Sequence, residues 1–172
     1  ARRLVSLLQA HDIAPGSVVA FQLPNWREAI VAFAGLAMGG YVLVPIVHIY
    51  GRKEVSFILD ECAADAYISP LTHGHVDNTA IIDDQPPVSL RLHVVVGDDL
   101  AAISQRPAPE GLRRIAWTEI SHHEPIVELP TPRAGDVVVL AYTSGTTRDP
   151  KGVIHDHRTL LSELRHMNGW VN

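Results

Sequence analysis

Leu140-Ala141-Tyr142-Thr143-Ser144-Gly145-Thr146-Thr147-Arg148-Asp149-Pro150-Lys151-Gly152-Val153 sets four hydroxyl side chains, glycines and one lysine between two apolar runs. Thr143, Ser144, Thr146 and Thr147 can each donate a side-chain hydrogen bond. Gly145 allows close backbone approach to an anion, and consecutive N–H groups in such a loop form an anion-binding concavity. Lys151 adds a charge on a flexible stem, suited to a polyphosphate tail. A lone Gly/Ser/Thr loop is usually a polar hairpin. The Pro-Lys-Gly ending and the β-like flanks favour a phosphate-binding loop instead.

The loop is not a Walker A motif, which ends Gly-Lys-Ser/Thr and opens a helix. Here Lys151 leads into Gly152, Val153 and Ile154, which read as a strand. Val137 to Leu140 read as another. The loop is therefore expected to join two strands as a lid that grips and releases phosphate.

Working outward, strand and helix patterns alternate. Leu4, Val5, Leu7 and Leu8 mark a helix ended by Pro15-Gly16. Ser17 to Leu23 reads as a strand. Asn25 with Glu28 resembles a capping box opening a helix over Trp26 to Met38, apolar on several sides and expected to be well buried. Gly39-Gly40 stop it. Tyr41 to Val47 reads as a strand, Arg52 to Cys62 as a helix, and Ala66 to Ser69 and Leu92 to Val96 as strands. Thr72 to Val88 fits a loop or short helix, and Ala101 to Gly111 a loop. Ile115 to Ile120 fits a short strand or turn, His122 to Arg133 an extended connector, and Thr159 to Met167 a final helix. The pattern predicts an α/β fold: a layered domain with a largely parallel sheet flanked by helices, plus a strand–phosphate loop–strand hairpin.

The 172 residues suffice for one buried core. A net charge of −5 gives no basic face for nucleic acid. Cys62 is the single cysteine, so there is no disulfide framework, and a reducing, cytoplasmic setting fits. No apolar run reaches membrane-spanning length. The chain starts at Ala1 on a helical pattern and stops at Asn172 just after another. The expectation is one partial domain over 1–172, with exposed edges and faces that favour self-association.

Tyr142 to Val153 resembles the phosphate-loop signature of the adenylate-forming, AMP-binding enzymes, Tyr-Thr-Ser-Gly-Thr-Thr-Gly-x-Pro-Lys-Gly. It matches at every fixed position except Arg148, where the family has glycine. His157 to Leu161 resembles the family's continuation into a helix. Leu23-Pro24-Asn25 and Ala37 to Tyr41 leading to Pro45 resemble its early elements, and Arg52 to Leu59 the helix that follows. The resemblance implies the N-terminal part of an acyl-CoA synthetase. Such an enzyme activates a fatty or aryl carboxylic acid with ATP to an acyl-adenylate, then transfers it to coenzyme A. It implies that Thr143, Ser144, Gly145, Thr146, Thr147 and Lys151 hold the departing pyrophosphate. Magnesium is implied as well, with its carboxylate partner further along the family's chain. No catalytic or metal-binding residue is assigned here, because the family's catalytic glutamate and lysine lie beyond this segment, as do most residues shaping the acyl pocket. This piece alone is expected to be inactive. The alternatives are an adenylation domain loading a carrier protein and a non-catalytic module retaining the loop.

Other residues have simpler readings. Arg148 at a loop tip is expected to point to water. On a strand His155 and His157 would share a face, yet no third ligand has a zinc-site spacing, so surface histidines are preferred, as for His73, His75, His122 and His123. Cys62 reads as a buried, inert thiol. Trp26 and Trp117 read as packing residues and Trp170 as exposed. Asp98-Asp99 reads as a solvated turn.

Overall fold

The computed structural model describes residues 1–97, 99–143 and 149–171. The elements run α1 (Arg2–Ala10), β1 (Val18–Phe21), α2 (Arg27–Met38), β2 (Val42–Pro45), α3 (Arg52–Glu61), β3 (Ala66–Pro70), β4 (Thr72–His73) and β5 (Val76–Asp77). They continue with α4 (Asn78–Asp84), β6 (Leu92–Val96), α5 (Leu100–Gln105), β7 (Arg113–Ala116), a 3-10 turn (Trp117–His122), β8 (Val137–Thr143), β9 (Lys151–Asp156) and α6 (His157–Val171).

Seven strands form one sheet in the order β7-β6-β3-β1-β2-β8-β9. All neighbours are parallel except β8 and β9, which form an antiparallel hairpin. The predicted α/β architecture is therefore the observed one. The central strands are continuous apolar runs because helices cover both faces. Alternate residues supply the two faces. Val19, Phe21, Leu43 and Ile68 join α1 and α2 in one core. Ala20, Val44 and Tyr67 join α3 and α4 in the other.

The first three helices end alike. Asp12, Gly40 and Ala63 adopt positive φ, and the next amides, of Ile13, Tyr41 and Ala64, bond back to Leu8, Leu36 and Leu59. This is the Schellman ending, with a buried apolar residue just after the turn each time. Helix α1 thus stops at Ala10, before Pro15-Gly16 is reached. Gly39-Gly40 has two reasons. Gly40 sits at φ 72°, and a Cβ on Gly39 would lie 2.6 Å from the Tyr41 ring. That ring is buried, and its hydroxyl donates to the Ile13 carbonyl at 3.0 Å.

Several expectations are corrected. Asn25 does not cap α2: Trp26 holds the cap position without a side-chain bond, and Glu28 pairs with Arg27 instead. Helix α2 is less buried than its composition implied, with Ile30 73% and Phe33 50% exposed. The stretch read as a loop from Ala101 contains α5, whose cap is Asp99 accepting from the Ala102 amide at 2.8 Å. Asp99 is therefore a helix cap rather than a free turn residue; Asp98 lies outside the described residues. Strand β7 begins at Arg113, two residues before the predicted start, and ends before Trp117, which enters the 3-10 turn. The Thr72 to Val88 stretch holds a tight hairpin over Gly74 (φ 61°) and α4, capped by Asp77. Among the described residues no helix is long and apolar enough to cross a membrane.

Candidate functional site

Strand β8 runs beside β2, parallel to it, with Leu43 opposite Val139. Its end therefore lies on the edge where β1, β2 and β3 also end. Ligands of open parallel sheets bind at that edge. There the chain turns back through β9, and Thr143 faces Lys151 directly across the ladder. Of the residues expected to hold phosphate, the structure brings Thr143 and Lys151 together. Ser144, Gly145, Thr146 and Thr147, with Arg148, lie outside the described residues.

Both placed residues are exposed. Thr143 Oγ1 lies 3.5 Å from the Lys151 carbonyl, at the limit of a hydrogen bond, so a stronger acceptor can displace that contact. Lys151 opens β9 rather than a helix, as the sequence implied. Directly opposed residues of an antiparallel pair present their side chains on one face, so the Thr143 hydroxyl and the Lys151 side chain leave the hairpin on the same side at the start of the loop.

Gly152, directly opposite Tyr142, has a packing role. A Cβ there would lie 3.0 Å from Leu140 Cδ1 and 3.3 Å from Tyr142 Cζ. The missing side chain lets the Tyr142 ring lie across the hairpin. Burial, followed by the neighbouring Glu61 and Cys62, pushes the Tyr142 phenol above its usual range, so it stays protonated. At the far end Asp156 caps α6, accepting from the Thr159 amide at 2.7 Å. That bond holds the Asp156 carboxyl below its ordinary value.

A cavity of about 800 Å³ opens beside Tyr142 on the same edge. Phe21, Trp26, Phe33, Ile46 and His48 contribute to its mostly apolar wall. Trp26 is 37% exposed here and meets the His73 ring edge-on at 5.9 Å; His73 in turn meets His48 at 5.5 Å. Trp26 is thus a cavity-rim residue rather than the packing residue expected, whereas Trp117 does pack against the core.

A second group was not foreseen in the sequence. Ser69 Oγ donates to the Pro70 carbonyl at 3.0 Å, so it accepts from His93 Nε2 at 2.8 Å. The Nδ1 atom is left to accept from Arg114 Nε at 3.4 Å. Tyr67 stacks on the imidazole at 5.1 Å. Burial, then the Arg114 charge, lowers the His93 pKa to about 3. This histidine is fully buried and neutral. Its signal in the sequence is one polar residue inside the apolar run of β6.

Burial raises the Cys62 thiol to about 12, which removes its nucleophilic form. His155 lies 3.8 Å from Glu163, while His157 begins α6, so strand alternation does not bring the two together. Among the described residues no group of three or more metal-ligating side chains forms. The Trp170 side chain lies outside the described residues.

A family model described as AMP-binding enzyme matches residues 1–172. The chain is 34% identical over 162 residues to the long-chain-fatty-acid–CoA ligase FadD13 of Mycobacterium tuberculosis, covering 94% of this chain and 29% of that protein. It is 30% identical over 154 residues to the long-chain-fatty-acid–AMP ligase FadD26 of Mycobacterium marinum, covering 87% of this chain and 23% of that protein. The solved acyl-CoA synthetase of Brucella canis shares the fold, with a TM-score of 0.74 at 20% identity over 94% of this chain and 27% of that one. The chain spans less than a third of the length of the curated relatives it matches.

Proposed function

The chain belongs to the AMP-binding enzyme family, and from that premise we propose that the protein containing it activates a carboxylic acid, fatty or aryl, with ATP and passes the acyl group to coenzyme A. The observation that carries the reading is the facing pair Thr143 and Lys151 at the mouth of the loop, on the sheet edge where ligands bind.

A carboxylate oxygen attacks the α-phosphorus of ATP, the bond to the bridging oxygen breaks, and pyrophosphate leaves. The thiol then attacks the acyl carbon, and AMP departs with the former carboxylate oxygen. Lys151 and Thr143, with Ser144, Gly145, Thr146 and Thr147, hold the pyrophosphate and stabilise the charge it gains as the bond breaks. Positioning and charge stabilisation supply most of such catalysis. Magnesium, when bound, neutralises phosphate charge; no residue of this chain is assigned to it.

The test is ATP–pyrophosphate exchange by the complete protein across short, long and aromatic carboxylates. Exchange that depends on one carboxylate class supports the reading and identifies the class. A folded protein that exchanges with none of them is instead a non-catalytic module retaining the loop. The likeness to a protein named an AMP ligase favours one alternative for the second step, a carrier-protein thiol in place of coenzyme A. AMP release that requires added coenzyme A decides against that alternative.

A further inference from the structure

Gln22 follows β1 and is 1% exposed. Its amide nitrogen lies 3.2 Å from the Val47 carbonyl, 3.5 Å from that of His48 and 2.9 Å from that of Tyr50. Its carbonyl oxygen accepts from the Tyr67 hydroxyl at 2.6 Å. Three acceptors on one side require the amino group there, so the amide orientation is fixed by chemistry. Tyr67 is itself fully buried, and burial keeps its phenol protonated, as this donation needs.

The segment held in this way follows β2 and forms part of the cavity wall. Ile46, Val47 and His48 face the cavity beside Tyr142, one residue before the loop. Nothing in regular secondary structure fixes the segment. Among the described backbone bonds it has Ile46 to Phe21 at 2.8 Å and the local turn from Tyr50 to Val47 at 3.0 Å. The Val47 carbonyl thus accepts both from that turn and from Gln22.

We propose that Gln22, oriented by Tyr67, is a positioning residue that holds Val47 to Tyr50 as a fixed wall of the cavity beside the phosphate-loop hairpin. The inference rests on the adenylation reading for its kinetic consequence, but its geometry does not. An apolar wall suits an uncharged linear chain, which in this reaction is either the acyl body or the pantetheine arm of the thiol. ATP is held at the loop and does not depend on this wall. Removing the amide leaves the carbonyls of the segment without their common donor, and the segment re-packs to find others.

The test uses the complete protein and two variants. Gln22→Met keeps the length and removes the donor; Tyr67→Phe keeps the donor and removes the bond that anchors the amide oxygen. In Gln22→Met, hydrogen exchange should accelerate at the Tyr50 amide, which donates to the Val47 carbonyl in the turn, while β1 and β3 keep their protection. The KM for one of the two chain-bearing substrates should rise by about fivefold or more, the loss of one to two net hydrogen bonds, with kcat and the KM for ATP nearly unchanged. Tyr67→Phe should show the same pattern more weakly. A rise confined to the carboxylate assigns the wall to the acyl body; a rise confined to coenzyme A assigns it to the thiol arm. Unchanged exchange at the Tyr50 amide would overturn the proposal, as would protection lost evenly across the sheet, or a fall in kcat alone. An enzyme inactive in the wild type would refute the adenylation reading, while the exchange measurement would still decide the role of Gln22.

Discussion

His93 gives a quantitative expectation. Its ring is fully buried, its Nε2–H is committed to Ser69, and its Nδ1 faces the Arg114 guanidinium. Burial disfavours the protonated ring, and protonation would also place a second cation against Arg114. The folded pKa is accordingly lowered from 6.5 to about 3. Above the unfolded value both states are neutral and His93 contributes no pH dependence. As pH falls from the unfolded value toward the folded one, the unfolded chain binds a proton that the folded chain refuses, so stability is lost. The slope is about 1.4 kcal/mol per pH unit, which gives about 2 kcal/mol lost by about pH 5 relative to about pH 8. Denaturant unfolding of the wild type and His93→Gln at a series of pH values tests this. The glutamine amide keeps a donor for Ser69, so the variant's own stability matters less than its slope. The loss between those pH values should be smaller in the variant by about 2 kcal/mol. The NMR signal of the His93 ring should not titrate near neutrality. A His93 midpoint within about one unit of the ordinary histidine value, or equal slopes in both proteins, would mean that the buried ring does protonate in the folded chain.

Further expectations follow from the hairpin and from α4. Lys151→Ala should lower kcat/KM for pyrophosphate exchange by about 10- to 100-fold, the value of a hydrogen bond to a charged group, without altering the unfolding midpoint. Thr143→Val should cost only about fivefold in the same assay. Gly152→Ala should force Leu140 and the Tyr142 ring aside at a cost of about 1 kcal/mol, read by thermal unfolding. Asp77→Ala should cost about 1–2 kcal/mol by urea unfolding, since its carboxylate caps α4 through Thr79 and Ala80 and also pairs with Arg106. Burial opposes ionisation of Asp77, but the Thr79 and Arg106 hydrogen bonds prevail and lower its pKa. Its contribution is therefore present above the ordinary aspartate value of 3.8 and lost as pH falls through the lower folded value.

The hairpin was legible because β-branched runs on both sides of a hydroxyl-rich segment have one simple arrangement, and Lys151-Gly152-Val153 cannot open a helix as a Walker A lysine does. The parallel sheet was legible because its central strands, covered on both faces, are apolar runs broken only by Ser69 in β3 and His93 in β6. Short elements were not. Helix α5 spans six residues and lies close to Pro107, so the prolines outweighed the Asp99 cap. Strand β7 opens on Arg113 and Arg114, and charge at a sheet edge hides a strand; Arg114 is drawn inward by Asp83, from a helix 31 positions earlier. The capping box at Asn25 failed because Glu28 is taken by its neighbour Arg27. Gln22 was invisible for a more general reason. Its meaning lies in Tyr67 and in carbonyls at Val47, His48 and Tyr50, which only the fold brings to it.

The most direct test of the central claim follows the oxygen atoms. The complete protein is supplied with ATP, coenzyme A and a carboxylate labelled with oxygen-18, and the products are analysed by mass spectrometry. Attack of the carboxylate on the α-phosphorus predicts one labelled oxygen in AMP and none in pyrophosphate. Label in inorganic phosphate, with ADP as the other product, would mean attack at the γ-phosphorus and would contradict the account.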